Sequence, residues 1–541
     1  MSIHSTRPRR GMVIAALALS AVVVLSACTA TATPTPTTSP RSLGIDFETA
    51  TIAQLQAGLT AGDYSAVELS DAYVARIESV NTTGPSLRAV QSIVSTWREQ
   101  AQAADARRKE GTTRGPLDGV PVIVKDNIDI EGQVTSAGSL ALADNVAVSN
   151  SAVADRLKAA GAVIIAKSTL VEFAFWNGAD SWGYSSLGGQ PLNPYDASYS
   201  TSGSSAGSAI AAAAGLAAIT VGSDTGGSVI TPAAHLSVVG YRPSTGLISR
   251  TGIVPITDFA DTAGVLGRTV TDAALGATAL LGADEKDPAT DLAARHPGLD
   301  LSSGLDTAAL KGARIGIPAG LSLDDEESTL WAKSIETLQK AGATVVSVPW
   351  QATTHPFATV MYQFRTSLDR YLTERTASDF PIKDVSELAD FYREHPQETQ
   401  KYGADNLFTA EKVDVATGAA GADAVLEQAR TAMTANVDGL VTQYDLDAFV
   451  FPESFAIVLE APILGMPEIS VPSGYQAKDR HPYGVTFLGE RGDDARLFGY
   501  AYAYEQAGEP RKTPSEINPT MWRCLERPST AEEQASEHCL P

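Results

Sequence analysis

Apolar residues recur at helical spacing over positions 52–80, and Ser65-Ala66-Val67-Glu68 reads as a helix start within that stretch. Short apolar runs of strand length follow at 120–124, 162–166 and 219–222, and helical patterns at 152–160 and 205–218 alternate with them. The alternation resumes with strands at 313–317 and 344–348 around a helix at 325–341. It ends with strands at 448–451 and 469–471 and a helix at 495–506. Apolar strands alternating with helices predict an α/β protein whose sheet is buried on both faces by helices. Positions 206–218 are nearly all small residues, which predicts a helix packed closely against the middle of that sheet. Positions 350–445 are more polar and helical, the expected place for a cap that selects substrate.

The two ends break this pattern. Arg7, Arg9 and Arg10 precede a continuous apolar run over 12–25, too short to span a bilayer comfortably. The run closes on Leu25-Ser26-Ala27-Cys28, which is similar to a bacterial lipobox, where the signal is cut before a cysteine that then carries lipid. The Thr/Pro-rich stretch after it has too little apolar surface to fold and reads as a tether. The expected organisation is a signal peptide at 1–27, a tether at 28–44, one catalytic domain at 45–510 and a polar C-terminal extension at 511–541. The expected location is outside the cytoplasm, with any membrane contact made through a lipid on Cys28.

Charge narrows the partners. A formal net charge of -23 repels nucleic-acid phosphates and anionic lipid headgroups, so neither is expected as a ligand. Of three cysteines, Cys524 and Cys539 remain for a possible bridge in the tail. No Cys-x-x-Cys or His-Glu-x-x-His occurs, so zinc is not indicated and no cofactor is expected.

Two Gly/Ser-rich segments can carry chemistry: Ser200-Thr201-Ser202-Gly203-Ser204-Ser205-Ala206-Gly207-Ser208 and Ser223-Asp224-Thr225-Gly226-Gly227-Ser228. The second follows an apolar strand. Successive glycines let several N–H groups converge on one point, the geometry that holds an oxyanion, with Ser228 as a nucleophile at its end. Such a serine needs a base. His296, His355, His395 and His481 sit in polar surroundings expected to be surface loops, and His235 lies among apolar neighbours that suit a core position. Lys125 is the better candidate, because it ends the apolar strand and burial favours the neutral amine. Bringing a lysine from about 10.4 to near 7 costs roughly 4–5 kcal/mol, which burial and hydrogen bonding must supply. Gly203-Ser204-Ser205-Ala206-Gly207 also matches Gly-x-Ser-x-Gly, which would make Ser205 the nucleophile of an α/β-hydrolase, but the residues before it are turn-like rather than a strand.

These motifs together resemble the amidase-signature family. The resemblance rests on Leu117-Asp118-Gly119-Val120-Pro121-Val122-Ile123-Val124-Lys125-Asp126-Asn127, on Gly203 to Gly207 and on Asp224 to Ser228, in that order. Val239-Gly240-Tyr241-Arg242-Pro243-Ser244-Thr245-Gly246 and Asp261-Thr262-Ala263-Gly264 extend it. It covers roughly 47–506 and implies one large mixed β-sheet sandwiched between helices. It implies Ser228 as nucleophile, Ser204 as relay after a cis Gly203–Ser204 bond, and Lys125 as base. The N–H groups of Thr225, Gly226, Gly227 and Ser228 would hold the oxyanion, and no metal or organic cofactor would be required. The implied partner is a small-molecule or peptide amide. Val229-Ile230, Leu236-Ser237, Arg242 and Tyr199 depart from common family residues. Ile230, Thr135-Ser136-Ala137-Gly138-Ser139, Gly188-Gly189-Gln190 and Ala501-Tyr502-Ala503-Tyr504-Glu505-Gln506 are more similar to the peptide-amidase branch, which deamidates C-terminal peptide amides. Phe173, Phe175, Trp176 and Trp182 are candidates for an apolar acyl pocket, with core packing the competing reading. Two other functions stay open at this stage: an amide-binding lipoprotein on an inactive scaffold, and an esterase using Ser205.

Overall fold

The computed structural model describes residues 43–176, 183–351, 356–453 and 460–522. The expected signal and most of the tether, together with Cys28, Trp182, Cys524 and Cys539, lie outside them.

Eleven strands form one sheet: β1 (Val90–Ile93), β2 (Pro121–Lys125), β3 (Val163–Ser168), β4 (Ile219–Asp224), β5 (Val239–Arg242), β6 (Thr262–Gly267), β7 (Arg314–Pro318), β8 (Thr344–Val348), β9 (Ala448–Pro452), β10 (Glu468–Tyr475) and β11 (Pro482–Leu488). Their order across the sheet is β1-β3-β2-β4-β6-β5-β10-β11-β9-β7-β8. β2 runs parallel to β3 and β4, and β7 runs parallel to β8 and β9; the remaining pairs are antiparallel. The expected mixed sheet is therefore present.

Helices cover both faces, as β4 demonstrates. A Cβ on Gly222 would lie 2.6 Å from Ser205 Oγ, so the segment that starts the helix Ala206–Ala213 presses directly on that face. Three residues earlier on the strand, and so on the opposite face, Ile219 abuts Gly276 of the helix Val270–Leu280. β2, β3 and β4 are buried along their whole lengths, the condition for a central sheet strand with no solvent face.

All seven expected strands are present. The helical pattern at 52–80 is two helices, Ile52–Ala61 and Ala66–Asn81, because Gly62 takes a left-handed C-cap and Ser65 opens the next helix with a capping box to Glu68. The helix expected to reach 218 stops at Ala213, since Gly215 turns at φ +67 where any Cβ would meet the Phe47 carbonyl. Of the four unexpected strands, β1 is only four residues long, and β5, β6 and β11 each contain an internal glycine, which weakens the strand signal.

The 350–445 region is helical, with Phe357–Glu374, Val385–Glu394 and Val415–Tyr444 its longer members. Val360, Phe364 and Leu368 join Phe173, Val254 and Ile256 in one buried cluster, so this region packs against the loops at the edge of the site. Residues 511–522 pack against the rest of the domain. Arg511 donates to the carbonyls of Ser237, Glu48 and Ala213, and Ile517 and Trp522 are buried. Among the described residues, no helix is long and apolar enough to cross a membrane.

Candidate active site

β2 and β4 are parallel neighbours, so their C-terminal ends open at the same edge of the sheet. Ligand sites in open α/β sheets form at such edges. Lys125 is the last residue of β2 and is fully buried. Its Nζ lies 2.7 Å from Ser204 Oγ, 3.0 Å from Ser205 Oγ and 2.9 Å from Ser223 Oγ. The Gly203–Ser204 peptide bond is cis. Burial lowers the Lys125 amine from its ordinary 10.5 to about 7, against the opposing charges of Asp224 and Asp261.

The hydroxyl partners dictate which way protons point. Ser205 Oγ donates to the Ser223 carbonyl (3.0 Å), so it can only accept from Lys125. Ser223 Oγ accepts from Asn127 Nδ2 (2.9 Å) and lies within reach of the amine. A neutral lysine has two N–H groups and one lone pair. Spending the N–H groups on Ser205 and Ser223 leaves the lone pair facing Ser204 Oγ. In that arrangement the amine can accept the Ser204 hydroxyl proton.

Ser228 sits on the loop after β4 and lines a cavity of ≈ 350 Å³ together with Thr225 and Gly226. Asp224, the last residue of β4, sets the shape of this loop. Its Oδ1 accepts from Gly227 N (2.9 Å) and its Oδ2 from Val229 N (2.6 Å). Arg242 at the end of β5 pairs with the same carboxylate at 2.8 Å and also donates to the Asp224 carbonyl and to Ala260 O, in a fully buried ion pair. Gly227 has φ +92, a conformation that favours glycine. The Gly227 N–H, expected among the oxyanion donors, is therefore engaged by Asp224. Among the described residues, the N–H groups of Thr225, Gly226 and Ser228 have no hydrogen-bond acceptor. Thr225 is fixed by its hydroxyl on Asp261 Oδ1 (2.7 Å), and Asp261 also accepts from Ile256 N and Thr257 N at the cavity wall.

The wall is apolar, with Phe175, Trp176, Ile256, Phe259, Val360 and Ile463 among its residues. Two of the four aromatic candidates are thus at the cavity. Phe173 is packed against Phe364 in the adjoining core, and Trp182 lies outside the described residues. Ser205 is fully buried, with its hydroxyl committed to Ser223 and Lys125. No strand leads into Gly203, so the elbow geometry that Ser205 would need is missing.

Sequence reasoning did not assign roles to Asp224, Arg242, Ser223 or Asn127. The signal existed for two of them: Asp224 directly precedes a glycine-rich turn with N–H groups to satisfy, and Arg242, like Lys125, ends a strand. His481 was expected in a surface loop, yet its Nε2 is buried and its ring packs on Tyr199 at 4.7 Å.

A family model for amidases matches residues 68–457. The chain belongs to the amidase-signature family. It is 33% identical over 490 residues to a probable amidase of Arabidopsis thaliana, covering 87% of this chain and 92% of that one. Among solved structures, the peptide amidase of Stenotrophomonas maltophilia superposes with a TM-score of 0.80 at 35% identity, covering 86% of this chain and 99% of that one. An amidase family protein of Bacillus anthracis superposes with a TM-score of 0.82 at 33% identity, covering 86% of this chain and 92% of that one. The protein is accordingly an amidase, a hydrolase of carbon–nitrogen bonds.

Proposed function

We propose that this amidase is an exported serine hydrolase of carboxylic amides, including C-terminal peptide amides, that works through an acyl-enzyme on Ser228. The observation that carries the reading is Lys125: a fully buried amine with its value lowered to about 7, 2.7 Å from Ser204 Oγ, on the strand next to the one whose loop brings Ser228 to the cavity.

In the proposed cycle, neutral Lys125 takes the Ser204 hydroxyl proton as Ser204 takes that of Ser228. Ser228 Oγ then attacks the amide carbon. The developing oxyanion turns to the unengaged N–H groups of Thr225, Gly226 and Ser228, while Asp224 holds Gly227 and Val229 so that the loop need not reorganise. The proton returns through Ser204 to the leaving nitrogen, and ammonia or an amine departs. Water repeats the relay on the acyl ester and releases the acid. The apolar cavity receives the acyl side, and its size suits one or two side chains rather than a folded substrate. The likeness to the Stenotrophomonas maltophilia peptide amidase supports a peptide amide in that position. The basic, apolar and Leu25-Ser26-Ala27-Cys28 succession at the start of the chain supports export with a lipid on Cys28.

The test is ammonia release by the purified protein, lacking residues 1–28, from a panel of C-terminally amidated dipeptides and simple aliphatic and aryl amides, beside Ser228→Ala. Release that disappears in the variant is expected. Equal release from wild type and variant would overturn the assignment, and silence on amides with retained affinity would favour the amide-binding reading instead.

A further inference from the structure

A second cluster of reactive side chains lies outside this machinery. The helix Ile230–His235 follows the Ser228 loop and ends on His235. Glu453 follows β9, and His481 immediately precedes β11, which is hydrogen-bonded to β9. His235 Nε2 lies 3.3 Å from Glu453 Oε1, and one donor atom from each of His235, Glu453 and His481 lies within 4.8 Å of the other two. Three segments far apart in sequence thus aim two imidazoles and a carboxylate at one point.

We propose that His235, Glu453 and His481 form a binding site for a divalent transition-metal ion of the zinc class.

Two imidazoles and one carboxylate are a donor set that suits zinc. Donor atoms about 2.0–2.1 Å from a tetrahedral ion stand about 3.3–3.4 Å apart. The His235–Glu453 pair already has that spacing, and the third ligand, within 4.8 Å of both, needs to close by at most about 1.5 Å. His481 Nε2 is buried and has no hydrogen-bond partner among the described residues, an arrangement that otherwise costs stability. A metal–nitrogen bond would satisfy it. The rings are also held in place. Tyr199 packs against His481 at 4.7 Å and anchors its own hydroxyl on the Asp479 carbonyl, and the His235 and His481 rings meet edge-on at 5.2 Å. Such neighbours orient metal-binding imidazoles. Burial lowers both imidazoles from their ordinary range, so both are uncharged near neutral pH, as ligands must be. All three residues are half-buried.

Neither Cys-x-x-Cys nor His-Glu-x-x-His spacing signals this site, because its ligands come together only through the β9–β11 pairing and the helix after Ser228. The ion would tie that helix to the sheet. Its role is therefore a staple behind the nucleophile loop, separate from the proton relay of Lys125, Ser204 and Ser228.

The test is zinc binding by the full purified protein after chelator treatment and dialysis. The readouts are bound metal per chain, competition against a chromophoric zinc chelator, and thermal midpoint with and without zinc. One zinc per chain and a higher midpoint are expected. In His481→Ala and Glu453→Gln, competition should show at least a tenfold loss of affinity and the zinc-dependent rise in midpoint should vanish. His296→Ala, at an exposed histidine elsewhere, should bind as wild type. Midpoints in chelator establish that each variant is folded. Absence of stoichiometric binding at micromolar zinc, or binding that survives in both ligand variants, would overturn the proposal and leave a metal-free His–Glu–His cluster.

Discussion

The Lys125 amine makes a quantitative demand on the pH dependence of turnover. With burial holding it at about 7, about half of the molecules carry the neutral base at pH 7, about a tenth at pH 6 and about nine-tenths at pH 8. An ordinary lysine at 10.5 would leave about one molecule in 3,000 competent at pH 7. For an uncharged amide, kcat/KM should therefore rise about tenfold for each pH unit well below 7 and level off above about 8. The midpoint should lie near 7, because this ratio reports the free enzyme. Coupled detection of released ammonia from pH 5 to 9 measures it. Replacing the base by Lys125→Met removes the proton acceptor and should cost about 10²–10⁴-fold, with the limb near 7 abolished in any residual rate. The same group has a stability signature. Its folded value is lowered, so between about 7 and 10.5 the unfolded chain holds more protons and wild-type stability gains with rising pH. The full lowering corresponds to about 5 kcal/mol, and Lys125→Met should lack this component of the slope. A flat profile from pH 5 to 9, or a limb near 4–5 that persists in Lys125→Met, would refute the assignment of Lys125 as base.

Other outcomes follow from the same geometry. Ser205→Ala should retain turnover within about tenfold of wild type, because it removes one hydrogen bond to the amine and one to the Ser223 carbonyl but leaves Ser204 and Ser228 in place, whereas Ser228→Ala should lose at least about 10³-fold; kcat values on one amide compare them. Asp224→Asn leaves Arg242 buried without its charge partner and should destabilise the fold by about 3–5 kcal/mol in urea unfolding, besides loosening the oxyanion loop. Ile256→Trp fills part of the apolar cavity and should lower kcat/KM for large acyl groups while leaving acetamide nearly unaffected, as a substrate series would reveal.

Much of this site could be read from the chain because its parts sit at the ends of strongly patterned elements. Val120 to Val124 is an unbroken apolar run, so a charged residue at its end stands out. Asp224 to Ser228 follows another such run. A sheet covered by helices on both faces was also accessible, since seven strands carry clear apolar signals, while its mixed strand directions were implied by the family resemblance. What the pattern could not give is what depends on pairing across the sheet. β5, β6 and β11 are interrupted by glycines whose purpose is close packing: Gly240 meets Ala233 and Val229, and Gly264 meets Val229 and the Tyr241 carbonyl. Arg242 reaches Asp224 only because β6 lies between β4 and β5 and brings their ends together. The commitment of Gly227 to Asp224 is a matter of loop conformation that composition does not encode. Likewise, local polarity placed His481 on the surface, while the β9–β11 pairing and Tyr199 bury its inner edge.

The central claim is a covalent intermediate on Ser228, and the most direct measurement is the intact mass of the enzyme quenched during turnover of a slow activated ester or amide, followed by peptide mapping. The account predicts an added acyl mass confined to the peptide containing Ser228 and absent from Ser228→Ala. An acyl group on Ser205, or steady turnover with no adduct on any serine under conditions where deacylation is slowed, would contradict it.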